Sequence, residues 1–261
     1  MVGRYAIVVI TVAVLALAGC ATERRAPSQV QNSPLDAARG ADENARLYTD
    51  LIRKLIDQER YYAALAHLQS RERQFGRTDE LRLLRADIRR KMGDGEAARP
   101  LYEDLLDGRF SAQANHGIGL IVAPNDLAEG TRYLERAVSQ SPTDARMRND
   151  LGYALLRQGR IREARLQLTT AYQLEGGNEL NRNNYILLLL ATGETARAER
   201  IAANAGVSDT VMADLREQAE ALPRAGAPAS GVGVPQARRR AAEPPGTGDP
   251  ATPVRVGGGG G

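Results

Sequence analysis

Tryptophan is absent from the 261 residues, phenylalanine and histidine occur twice each, and cysteine occurs once. A single cysteine excludes an intrachain disulfide. Two histidines, His67 and His116, together with one cysteine are too few for a Cys/His zinc site. A Ser-His-Asp triad would have to use one of these two imidazoles. A large excess of one charge is missing too. There are 35 basic and 32 acidic residues, a formal net charge of +3, so no nucleic-acid partner is expected despite a sequence pI near 9.2. Gly176-Gly177 lacks the rest of any phosphate-loop fingerprint, and the carboxylates are scattered without the pairing that acid-base work needs. No catalytic residue, metal ligand or cofactor is expected, and the chain is not expected to be an enzyme. What is present is 43% hydrophobic and 26% charged residues, enough for a folded core.

The two ends differ from the middle. Residues 1–19 carry Arg4 and then a run from Tyr5 to Ala18 without charge, too short for the roughly 20 apolar residues of a membrane span. The run ends in Leu17-Ala18-Gly19-Cys20, which resembles the bacterial lipobox. That resemblance implies a signal peptide over 1–19, cleavage before Cys20 and acyl chains on its thiol. Ala21 in place of Asp implies, by the same resemblance, sorting to the periplasmic face of the outer membrane. Residues 20–42 are polar, with Pro27, Pro34 and Gly40, and read as a flexible linker. Residues 223–261 hold no Leu, Ile, Met, Phe or Tyr, and are expected to be disordered. They carry Arg238, Arg239 and Arg240 in a row, a solubilising tail or a patch for an anionic surface.

Residues 43–222 repeat. The stretch from Leu151-Gly152 through Gly159, Ala164, Leu168 and Ala171 sets a spacing of small and large residues. Steps of 34 residues lead to Gly193, Ala198 and Ala205 on one side and to Leu134 and Ala137 on the other, with Pro142 just beyond. Gly93, Ala98 and Tyr102 fit in shifted phase, and Leu51, Ile52, Leu55, Ala64 and Leu68 fit a first copy. This spacing resembles the tetratricopeptide repeat, a pair of antiparallel helices of about 34 residues. Gly152 and Ala164 fall where the paired helices approach most closely, and Gly159 suits a left-handed residue at a helix end. The resemblance implies an all-α superhelix of five helix pairs, near 45–77, 78–110, 111–144, 145–178 and 179–208. A capping helix follows from Asp209 to Leu222 with Ser208 as N-cap. The third copy is the least regular, with Gly130 in an alanine position and a turn at Pro124-Asn125-Asp126.

In this family the first helix of each pair lines a concave groove that holds partner segments. Asn115, Asn149 and Asn183 recur at intervals of 34 on the fifth repeat position, which the resemblance places on the groove. Their amides can bridge an extended peptide backbone, or they can bond between neighbouring first helices and hold the array. Tyr153 projects to the same groove, and Arg146, Arg157 and Arg182 add positive charge, so a carboxylate or acidic segment suits it. His116 is placed to line the groove, whereas His67 is expected on a second helix as a packed or surface side chain.

Over residues 1 to about 222 the chain resembles the TadD family, lipoproteins of the tight-adherence (Flp) pilus system. The clearest stretches are Leu51–Leu55, Arg60–Ala66 and Asn149–Leu156. This implies a pilotin-like adaptor that helps the pilus secretin reach or assemble in the outer membrane, with a secretin segment held in the groove. The alternative of another class is a lipoprotein scaffold for cell-wall enzymes or other envelope complexes.

Overall fold

The computed structural model describes residues 34–223. The expected signal segment, Cys20, the first part of the linker, and the tail beyond 223 with Arg238, Arg239 and Arg240 lie outside the described residues. Eleven helices and no strand occur among the described residues, and none of those helices is long and apolar enough to cross a membrane. The chain divides into two units between Leu51 and Ile52. In the first unit the described residues are helical throughout, and Thr49 Oγ1 donates to Ala45 O at 3.0 Å. This helix, α1 (Pro34–Asp57), begins inside the stretch expected to be a linker, so that expectation is corrected for 34–42. Proline's fixed φ suits a first helical turn, and Leu35, Ala37, Ala38 and Ala41 are strong helix formers.

From Ile52 onward the helices come in pairs. After α1 come α2 (Tyr61–Phe75), α3 (Asp79–Lys91) and α4 (Gly95–Glu103), then α5 (Ser111–Val122) and α6 (Leu127–Gln140). They are followed by α7 (Ala145–Arg157), α8 (Ile161–Glu175), α9 (Glu179–Ala191), α10 (Thr195–Asn204) and α11 (Asp209–Ala221). Short polar side chains start six of them. Thr78, Asp94, Asp126, Asp144, Asn178 and Ser208 each accept a hydrogen bond from a backbone N–H two or three residues on, at 2.8–3.4 Å. These bonds satisfy donors that a helix start leaves open.

One turn closes four of the first helices. After α3, α7 and α9, Gly93, Gly159 and Gly193 take φ of 85°, 72° and 80°. In each, the glycine N–H bonds a carbonyl three residues back, and the next N–H bonds one five back, as in Gly159 to Leu156 and Arg160 to Leu155, both 3.0 Å. The same bonds follow α1, but there the left-handed residue is Glu59, with φ of 58°. Left-handed backbone costs an L-residue about 1–2 kcal/mol, of which glycine's greater unfolded freedom returns about half. Glu59→Gly is therefore expected to raise stability by about 0.5–1 kcal/mol, read as a higher urea midpoint with an unchanged slope. A lower midpoint would show that the Glu59 side chain outweighs the strain of its backbone.

The irregular places have local causes. After α5 the turn is Pro124-Asn125-Asp126, as expected, and both Asn125 N–H and Asp126 N–H bond Val122 O, at 3.0 and 2.9 Å. Helix α4 was expected to run towards 110 but stops at Glu103. Pro100 inside it supplies no N–H, and the chain continues in turns through Gly108, while Leu105 still fills the core.

Packing follows the spacing of small residues. A Cβ on Gly152 would lie 2.6 Å from Leu168 Cγ, so α7 and α8 close only because that atom is missing. A Cβ on Gly117 would overlap the ring of Tyr102, which binds α4 to α5 in the same way. Ala164 is fully buried. The apolar interior forms three clusters. Ile52, Leu55 and Ile56 pack with α2 and α3; Tyr102 gathers α3, α4 and α5; and the largest runs from α5 to α11. Met212 and Leu215 of α11 join Tyr185, Ile186 and Leu189 there, so α11 caps the last pair.

Candidate functional site

The first helices of successive pairs lie side by side. α3 packs on α5, α7 packs on α9, and α5 is tied to α7 by His116 Nε2 and Asp150 Oδ2 at 2.7 Å. One repeat further, Asn184 Nδ2 donates to Asn149 Oδ1 at 3.0 Å, and Asn149 Nδ2 donates to Asp150 Oδ1 at 3.4 Å. His116, Asp150 and Asn184 are themselves spaced by 34, so α5, α7 and α9 share one polar seam.

At its α3 end the seam meets a second group. Tyr102 Oη donates to Asp87 Oδ1 at 2.7 Å and accepts from Arg90 Nε at 3.1 Å. Burial, and then the Asp87 charge, push the Tyr102 hydroxyl well above the ordinary tyrosine range, so it stays a donor. Burial opposes the charge on Arg90. Tyr102, Asp87 and, more weakly, Asp150 outweigh that opposition and raise its pKa.

The three asparagines are not equivalent. Asn149 is 0% exposed and Asn115 is 4% exposed. Asn115 Nδ2 donates to Ser111 O at 2.9 Å and meets Gln140 Oε1 at 3.4 Å, so it joins its own helix to α6. Of the two readings, Asn149 takes the one in which it bonds between neighbouring first helices, and Asn115 bonds within its own pair. Both are turned into the array, because the bonds of Asn149 go to Asp150 and to α9. Asn183 differs: it is half-buried, and its Oδ1 is sealed from solvent without a partner.

Arg146 is exposed, and Tyr153 and Arg182 are half-buried. The Arg157 guanidinium lies 6.0 Å from the centre of the Tyr153 ring. Arg157 Nε on α7 and Arg182 Nε on α9 are both buried without a hydrogen-bond partner. Two unbonded guanidinium donors and one unbonded amide acceptor thus occur on adjacent first helices.

His116, Asp150 and Asn184 were not singled out together from sequence, although their spacing of 34 was the available signal. His67 is half-buried on α2. Among the described residues, no three His, Cys, Asp or Glu side chains converge as metal ligands would.

The chain is 35% identical over 172 residues to the TPR repeat-containing protein PA4299 of Pseudomonas aeruginosa, a match covering 66% of this chain and 69% of that protein. Its fold is similar to the crystal structure of TTC0263, a thermophilic TPR protein of Thermus thermophilus, with a TM-score of 0.53 at 21% identity. That likeness covers 68% of this chain and 97% of the other. No family model matches the chain. With helix pairs in register, glycine turns at the same point of three pairs and a relative of this identity, the chain belongs to the TPR, or tetratricopeptide-repeat, proteins.

Proposed function

We propose that this protein is a non-catalytic adaptor of the bacterial envelope that holds an acidic partner segment against the wall formed by α7 and α9. The observation that carries the reading is that Arg157 and Arg182, half-buried on these two helices, have no anionic partner among the described residues. Carboxylates of a segment laid along the wall supply the missing counter-charges and charge-assisted hydrogen bonds to the two guanidinium groups. Arg146 and Tyr153 extend the wall, beside the half-buried Asn183. Concave faces of stacked repeats serve such binding in general. The resemblance to the tight-adherence lipoproteins supports the pilus secretin as partner, with the lipid on Cys20 giving the address at the periplasmic face of the outer membrane.

Arg157→Gln combined with Arg182→Gln in the full chain is expected to weaken binding of purified secretin by roughly ten-fold or more, about 1.4 kcal/mol. Its melting temperature should stay close to wild type. Unchanged secretin affinity rejects the wall as the site. A wild-type chain that binds no secretin rejects the partner and leaves the adaptor reading to be tried on other envelope proteins. The anchor is tested apart. Cys20→Ser should abolish incorporation of labelled palmitate and remove the protein from the outer-membrane fraction. Fractionation like wild type would overturn it.

A further inference from the structure

The second helices of the last two pairs, α8 and α10, both pack on α9 and leave a solvent-open cleft of about 380 Å³ between them. Its floor is aromatic. Tyr172 of α8 stacks on Tyr185 of α9 with ring centres 4.7 Å apart and planes 20° from parallel. Arg197 of α10 lies 5.6 Å from the centre of the Tyr185 ring, and Thr169, Arg200 and Asn204 complete the polar rim.

The charges of this rim are not balanced. Arg197 reaches Glu194 at 3.3 Å, but that carboxylate is held mainly by Arg165, at 2.6 Å, and this bond is the first cause of its lowered pKa. The neighbouring Glu199 pairs with Arg216 at 3.3 Å. Arg200 is exposed and has no anionic partner among the described residues.

The equivalent positions one repeat earlier serve as an internal control. Stepping back 34 residues replaces Tyr172 by Val138, Tyr185 by Leu151, Arg197 by Glu163 and Arg200 by Leu166. Thr169 becomes Glu135, and both acids there bond Arg160. The architecture is satisfied by aliphatic and acidic residues at these positions. The two tyrosines and two arginines of the last cleft are therefore not demanded by packing.

We propose that the α8–α10 cleft is a second docking site, distinct from the first-helix wall, for an acidic peptide segment of a partner protein. An Asp or Glu carboxylate of the segment pairs with Arg200 and Arg197, which suit bidentate binding. The amide of Asn204 and the hydroxyl of Thr169 bond its backbone, and an adjacent apolar side chain rests on the Tyr172 ring. A segment is favoured over a free small ligand because the cleft is open along the two helices. Neighbouring residues of a chain can shield the carboxylate, which a small ligand would leave half in water.

The test uses random octapeptides displayed on phage and selected on the full chain. Wild type should recover peptides with Asp or Glu beside an apolar residue. Recovery should fall ten-fold or more on Arg200→Glu, an exposed position where the fold is not at stake, and also on Tyr172→Leu. The combined Arg157→Gln and Arg182→Gln variant should retain the Arg200-dependent class, which separates this cleft from the wall. Equal recovery on wild type and Arg200→Glu overturns the proposal. So does an acidic class lost only in the Arg157 and Arg182 variant. Competition of the recovered peptides by low concentrations of N-acetylglutamate overturns it in favour of a small-molecule pocket.

Discussion

Ala164→Trp should lower the melting temperature by roughly 5–10 °C, from a loss of about 1–3 kcal/mol by overpacking. Ala164 has no exposed surface and belongs to the cluster that contains Leu168, Leu151 and Leu155. Opposite it on α7, Gly152 already leaves no room for a single carbon, since an added Cβ would lie 2.7 Å from Leu168 Cδ2. An indole at 164 must separate α7 from α8 or leave a favoured rotamer, and each remedy disturbs the packing of α9 behind them. A thermal melt followed by circular dichroism reads the effect. A melt identical to wild type would mean that position 164 does not face α7.

Asn149→Ala should destabilise the fold by about 1–3 kcal/mol, whereas Asn183→Ala should change stability by less than about 0.5 kcal/mol. The two residues occupy the same repeat position, so sequence alone treats them alike. In the structure Asn149 is buried, accepts from Asn184 and donates to Asp150. Its loss strands the Asn184 amide and frees one oxygen of the carboxylate that holds His116. Asn183 is half-buried and its Oδ1 bonds nothing, so truncation removes no intramolecular bond there. Urea denaturation of the two single variants measures the contrast. Equal losses would show that the seam does not depend on Asn149.

The reach of the sequence can be judged from individual residues. Gly152, Gly159, Ala164 and Gly193 announce the helix pairs because each marks a place where any larger or right-handed residue is excluded. Such exclusions repeat at fixed spacing and are visible in one dimension. The fate of Asn149 was not visible. Whether an amide points at solvent or at the next helix depends on a rotation of α7 relative to α9, and its partner is 35 residues away. Tyr102 shows the same limit. It fits the repeat as a large apolar residue, yet its hydroxyl also links Asp87 and Arg90, and its ring requires Gly117. The early end of α4 was hidden because Pro100 sits within an otherwise helix-compatible stretch. The α8–α10 cleft draws on three helices at once. It stands out only when its residues are set beside those one repeat earlier.

The division of the apolar interior into three clusters bears on how this chain comes apart. In a stack each pair leans only on its neighbours, so opening need not be global. The cluster centred on Ile52, Leu68 and Ile88 and the one centred on Tyr102 are each small, while the third unites α7, α8 and α9 with α11. Amide hydrogens of α7 to α9 are therefore expected to be the last to exchange with solvent, and those of α2 to exchange through smaller, earlier openings. The largest cluster also lies beneath Arg157, Arg182 and the two tyrosines of the cleft. A partner arriving there meets a surface already ordered, so its affinity carries little cost of organising the receptor.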